Sequence, residues 1–170
     1  MAELYLLAEF DAGAQAVLAG YGRALSAQGL TGRQTPGIPH HLTLGSFPME
    51  READLAERLA RVCGQRRALS LCMGHIGLFG REVLFVAPNA NEELLALRAA
   101  LCGQPCRGAH PWAPHATVLI DQPEAILRAL PALTEAFEPF TARVVSVSLY
   151  AFFPARLIRR CALAGGRGGA

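Results

Sequence analysis

His41-Leu42-Thr43-Leu44, set beside His115-Ala116-Thr117-Val118, is the stretch on which the reading of this chain turns. Each is a histidine, an apolar residue, a threonine and a second apolar residue, and the two copies lie 74 positions apart (115 minus 41). Each opens a run with strand composition, 42–44 in the first copy and 116–120 in the second. Successive side chains of a strand point to opposite faces. Each histidine therefore shares a face with its threonine, while Leu42 and Leu44, or Ala116 and Val118, point into a core. Proline precedes both copies, Pro39 before His40-His41 and Pro114 directly before His115. The repetition predicts a duplicated lobe that presents matching polar pairs to a common cleft.

The rest of the chain sets the bounds. Its 170 residues suit one domain or two closely packed lobes, with enough chain to bury a core. With 52% apolar and 18% charged residues it reads as globular. No apolar run reaches the roughly 18 residues that span a bilayer. Met1-Ala2-Glu3 has no basic region, so no secretory signal is expected and cytoplasm is the expected location. Five scattered cysteines (Cys63, Cys72, Cys102, Cys106, Cys161) suggest reduced thiols rather than a disulfide framework. Sixteen basic residues against fourteen acidic ones leave little field for a non-specific nucleic-acid coat. Every basic residue is arginine. With no lysine, a Schiff base, a P-loop lysine and ATP-driven ligation through a lysyl adenylate are all excluded.

Read in order, the chain predicts a strand over 4–10 and a helix over 11–28, capped by Asp11 and stopped at Gly29. A Gly/Thr/Pro-rich loop over 29–39 delivers the first motif strand. An amphipathic helix over 50–63 and a hairpin over 68–79 and 83–87 follow, then a leucine-rich helix over 91–102. The loop 103–114 delivers the second motif strand, followed by a helix over 122–137 and a hairpin over 138–152 and 156–163. Strand, helix, strand, helix, hairpin is thus followed by a shorter echo of itself. The expected class is α+β: one two-lobed domain over 1–163, with two antiparallel sheets flanked by helices around a central cleft. Residues 164–170 form a Gly-rich tail expected to be disordered.

Two histidines facing one another across a cleft have a definite use. With an unperturbed pKa near 6.5, one ring can be free base while the other is protonated. One then takes a proton from an attacking hydroxyl or water, and the other gives a proton to the oxygen leaving phosphorus. Each threonine, two residues along on the same face, can donate to a non-bridging phosphoryl oxygen. This chemistry needs neither metal nor cofactor.

The ordered pair, with Pro39-His40-His41-Leu42-Thr43-Leu44-Gly45-Ser46-Phe47, His75-Ile76-Gly77-Leu78-Phe79, Trp112-Ala113-Pro114-His115 and Ser148-Leu149-Tyr150, resembles the two-histidine phosphoesterase superfamily, in its 2'-5' RNA ligase-like branch. The resemblance covers nearly all the chain except the tail. It implies a bilobal, pseudo-twofold fold and metal-independent action on 2',3'-cyclic phosphates or 2',5'-phosphodiester bonds. It implies a reaction that can also be run as ATP-independent joining of RNA ends. It also implies catalytic roles for His41 (acid to the leaving oxygen) and His115 (base on water), with Thr43 and Thr117 holding phosphate. The partners implied are RNA termini or small cyclic or 2',5'-linked nucleotides, bound by a monomer with no membrane attachment. Some relatives carry an arginine just after a His-x-Thr motif, where this chain has Gly45-Ser46 and Leu119-Ile120. That departure favours a small nucleotide or an RNA terminus over a long polyanion.

Aromatic side chains that stack bases would complete such a site, and Tyr150, Trp112, Phe47 and Phe79 are the substrate-binding candidates, with Phe153 also near the expected rim. Arg81, Arg156 and His75 are weaker candidates to line the cleft; His40 is expected on the opposite face from His41, and Glu9 and Gln34 receive no role. Two other functions fit the same residues. In one, the motifs hold a nucleotide or RNA-end phosphate without turnover; in the other, Cys102, Cys106 and His110 hold a metal, although their spacing matches no standard zinc pattern.

Overall fold

A computed structural model describes residues 2–103 and 111–164. The strands are β1 (Glu3–Phe10), β2 (His41–Pro48), β3 (Leu69–Phe79), β4 (Val83–Pro88), β5 (Ala116–Ile120), β6 (Phe140–Phe152) and β7 (Arg156–Ala162). The helices are α1 (Ala12–Ser26), α2 (Glu52–Gln65), α3 (Glu92–Cys102) and α4 (Pro123–Ala136). Their order is the one the sequence predicts. Local chemistry accounts for the helix ends: the side chains of Asp11 and Asn91 accept from the Ala14 and Leu94 amides, and Pro123 occupies the first turn of α4.

The two expected sheets are one. The strand order is β2-β1-β6-β3-β4-β5, with β7 on β6 and every pairing between these strands antiparallel. The reason is the length of β6. Its residues 144–152 pair with β1, and its residues 140–144 continue onto β3, so thirteen residues serve both lobes. One lobe is β2, β1, β6 and β7; the other is β5, β4 and β3 on the start of β6.

The buried residues of α1 (Ala14, Leu18, Tyr21, Leu25) recur at helical spacing, as do those of α2 (Leu55, Leu59, Val62). They pack on the sheet face that carries Leu4, Leu6, Ala8, Leu42, Leu44, Val147 and Leu149, and this is the core. The opposite face of the first lobe carries Tyr5, Leu7, Glu9, His41, Thr43, Ser146, Ser148 and Tyr150, and forms the cleft. Among the described residues no helix is long and apolar enough to cross a membrane. Ala164 bridges Arg67, and the rest of the predicted tail lies outside the described residues.

Candidate active site

The two motif strands are built alike. Leu6 pairs Gly45 and Leu7 pairs Thr43, leaving Leu44 as the extra residue of a bulge. In the other lobe Leu84 pairs Leu119 and Phe85 pairs Thr117, leaving Val118 as the extra residue. The bulge falls at the fourth position of His-x-Thr-x both times. A bulge bends the strand and resets its alternation. Consequently Phe47, which simple alternation puts beside His41 and Thr43, faces Leu4 and is buried in the core.

The rings are held alike as well. His41 Nδ1–H donates to the Pro39 carbonyl at 2.7 Å, and His115 Nδ1–H donates to the Ala113 carbonyl at 2.9 Å. A carbonyl only accepts, so Nδ1 carries the hydrogen in each neutral ring and Nε2 presents its lone pair. The i−2 carbonyl is the common device.

β2 and β5 end the strand order, yet they pack against one another across the cleft. Their free edges are covered reciprocally. The outer edge of β2 is capped from the second lobe: Trp112 Nε1–H donates to the Thr43 carbonyl at 2.9 Å, and Arg98 Nε–H to the Leu44 carbonyl at 2.9 Å. The outer edge of β5 is capped from the first lobe. The Arg33 amide donates to the Ile120 carbonyl at 2.8 Å and Gln34 Nε2–H to the Val118 carbonyl at 2.8 Å, while Gln34 Oε1 accepts from the Ile120 amide. Covering an edge in this way satisfies backbone groups that would otherwise invite pairing with another chain. It also brings the two motifs together.

Between them lies a cavity of 330 Å³ bordered by His41, Thr43, Thr117, Gln34, Tyr5 and Phe152. His40, expected on the far face, borders it too, because it precedes β2 and escapes strand alternation. Gln15 of α1 grips the His40 backbone in both directions, at 2.8 and 2.9 Å. Burial lowers the pKa of His41, and the Pro39 carbonyl and Glu9 partly offset this. The His41 ring is close enough to His115 for repulsion between their charged forms to lower its pKa further. Burial likewise lowers the pKa of His115, against the pull of the Ala113 carbonyl. In the free protein both rings are therefore neutral at pH 7.

A family model described as the 2'-5' RNA ligase superfamily matches residues 18–152. The chain belongs to that superfamily. Among solved structures, Escherichia coli LigT complexed with 3'-AMP is similar at 19% identity, with a TM-score of 0.64 over 95% of this chain and 98% of that one. TT0787 of Thermus thermophilus is similar at 18% identity and a TM-score of 0.65, over 96% and 98%. These likenesses are ones of fold. No curated protein sequence matches.

His41, Thr43 and Thr117 border one cavity while His115 is not among its lining residues, and the predicted aromatic shell does not surround it. Tyr5 and Phe152 border it instead, together with Phe153, which was expected at the rim and is 76% exposed. Tyr150 does face the cleft side of β6, but it is buried, with its ring on Phe152 and its hydroxyl accepting from Arg160. Trp112 is committed to the Thr43 carbonyl and to Arg98, whose guanidinium lies 4.3 Å from the ring centroid. Phe79 and Phe85 instead wall the His115 ring, at 4.5 and 5.2 Å. His75 is taken by Asn89 and Arg156 by Glu52, while Arg81 is exposed at the β3–β4 turn. Cys102 donates Sγ–H to the Leu44 carbonyl at the buried end of α3; Cys106 and His110 lie outside the described residues.

Sequence reasoning left Tyr5, Gln34 and Glu9 without a part. Glu9 carried a readable signal, as the one carboxylate inside the apolar run 4–10. Gly77 supplies the remaining support. A Cβ there would meet the Phe85 ring at 2.4 Å, so the ring that walls His115 lies flat on bare backbone. Gly77→Ala should destabilise the fold by about 1–3 kcal/mol, the range for overpacking, read as a lowered urea midpoint.

Proposed function

We propose that this protein is a metal-independent phosphodiesterase that opens 2',3'-cyclic phosphates or cleaves 2',5'-phosphodiester bonds of nucleotides and RNA ends. In this reading His41 and His115 are the acid–base pair, and Thr43 and Thr117 donate to the phosphoryl oxygens. The observation that carries it is a pair of histidines, each held through Nδ1–H by an i−2 carbonyl, with His41, Thr43 and Thr117 bordering one cavity. For a cyclic phosphate, one Nε2 takes a proton from water as its oxygen bonds to phosphorus. The bond from phosphorus to the ribose oxygen breaks, and the other ring delivers a proton to that oxygen. The product is a phosphomonoester. With a ribose 5'-hydroxyl in place of water as the attacking group, the same steps open the cyclic phosphate and join two ends; run backwards they cleave that bond, and neither direction uses a lysyl adenylate, which a chain without lysine cannot form.

Substrate size follows from the cleft. A cavity of 330 Å³ with Tyr5, Phe152 and Phe153 at one side suits a single nucleotide, or the last nucleotide of a strand. That E. coli LigT has been crystallised with 3'-AMP, ATP and NADP+ supports nucleotides as the ligand class. The expected location is the cytoplasm and the expected state a monomer.

A panel of the four 2',3'-cyclic mononucleotides and 2',5'-linked dinucleotides, assayed with and without EDTA, tests this reading. Turnover of at least one class, undiminished by the chelator, is the expected result. Binding of a phosphomonoester with no turnover of any member would reassign the protein as a phosphate-binding module. Turnover abolished by EDTA and restored by a divalent cation would overturn the metal-independent assignment.

A further inference from the structure

We propose that Glu9 is a positioning residue that makes His41, rather than His115, the proton donor of the pair. The inference rests on the acid–base reading above and deepens it, because two pseudo-symmetric motifs leave the direction of proton flow open. Glu9 breaks that symmetry.

A buried carboxylate near the end of an interior strand is expensive and persists only when partnered. Glu9 is 5% exposed and sits between two strands, directly opposite His41 on β2 and Ser146 on β6. Residues directly opposite in an antiparallel pair share a face, with Cβ atoms about 4.5–5.5 Å apart. Arg160 of β7 holds the carboxylate with both ends of its fork, Nε 2.9 Å from Oε2 and NH2 3.0 Å from Oε1. Ser146 Oγ–H donates at 3.0 Å, and Ser148 donates to the other oxygen. Arg160 also donates to Ser148 Oγ at 3.1 Å and to the Tyr150 hydroxyl at 3.4 Å. The carboxylate is thus fixed by three residues from two strands, and its fourth side is His41.

The charged and titratable groups around His41 are Glu9 from β1, His40 from the preceding loop and His115 from the other lobe, with Arg160 behind the carboxylate. Glu9 is the one of the three that favours an imidazolium at His41; His40 and His115 oppose it. The surroundings of His115 differ in kind. Its ring is walled by Phe79 and Phe85, and no carboxylate is among the groups that shift its pKa. Burial favours the uncharged form, which a general base requires. Glu9 is thus a negative charge that His41 has beside it and His115 lacks. His41 delivers the proton to the leaving ribose oxygen, and His115 takes the proton from water.

The test uses the full chain carrying Glu9→Gln, with the two imidazoles titrated separately by 15N NMR and kcat/KM measured against pH on 2',3'-cyclic AMP. The expected result is a His41 midpoint lower by about one pH unit, with His115 moving much less. The alkaline limb of kcat/KM moves down with it, a loss of about tenfold at pH 8, with the acid limb in place. Arg160→Gln, at a half-exposed side chain, should act in the opposite direction, because it leaves the Glu9 charge uncompensated. It keeps the proposal testable if Glu9→Gln does not fold. An unmoved His41 midpoint in Glu9→Gln, equal shifts of both rings, or a His41 midpoint in Arg160→Gln that stays or falls would each overturn the proposal. A wild type that turns over no probe while its His41 midpoint still depends on Glu9 would sink the phosphodiesterase reading and leave the electrostatic role of Glu9 standing.

Discussion

His41→Ala and His115→Ala should each lower kcat on a 2',3'-cyclic mononucleotide by at least a hundredfold, within the 10²–10⁴-fold range for a lost general acid or base. In free energy that is about 3–5 kcal/mol of transition-state stabilisation. KM should change little, since Thr43, Thr117 and the cavity wall remain. The double variant should be little worse than either single one, because the two rings act in one concerted proton transfer. Burial lowers the pKa of both histidines below the ordinary 6.5 in the free protein. The free enzyme therefore carries its active combination, one ring charged and one neutral, on the acid side of that value. The bell in kcat/KM should peak there. A bound phosphate favours an imidazolium, so the bell in kcat should lie at higher pH. Stopped or continuous assays from about pH 4.5 to 9 check both statements; full activity in either alanine variant would end the assignment.

Trp112→Ala should be the most damaging substitution outside the two motifs. The indole joins the lobes through one hydrogen bond to the Thr43 carbonyl and through its face beneath Arg98. Removing a Trp side chain from a packed site costs about 3–5 kcal/mol, and this ring is only half-buried, so about 3 kcal/mol is expected. For a chain of this size that is a fall in Tm of about 6–12 °C. Activity should fall as well, because the lost bond holds the β2 edge within the His-x-Thr motif itself. Trp112→Phe separates the two contributions. It keeps a ring under Arg98, loses only the hydrogen bond, and should cost about 1 kcal/mol. Calorimetry on the three proteins reads this directly. Had Trp112 been a base-stacking residue, both variants would raise KM with little change in Tm.

Much of the fold was legible because its signals are local. Asp11 and Asn91 cap the helices they precede, Pro123 opens α4, and Val147 and Leu149 alternate with Ser146, Ser148 and Tyr150 along β6. The assignment of aromatic roles was not legible. Phe47 obeys the alternation of its strand up to Leu44 and then violates it, because one extra residue in β2 turns everything beyond it over. Nothing in the sequence near Gly45 announces that bulge, and its twin at Val118 becomes recognisable only once both strand pairings are known. Trp112 reads as a cleft aromatic until its indole N–H is seen to have a partner 69 residues away.

The sequence by itself determined that two His-x-Thr pairs exist, that each opens a strand, and that a proline-bearing loop leads into each. From these came the family resemblance and the chemistry. Periodicity and capping depend on neighbours within a turn or two, so a linear reading suffices for them. Tertiary structure alone decided that β2 and β5 face one another through reciprocal capping of their edges, and that β6 joins two expected sheets into one. It alone set Glu9 opposite His41 and the rings of Phe79 and Phe85 against His115. Those facts depend on register between segments far apart in the chain and on where a buried charge finds its partners. Neither is a property of any single stretch of residues.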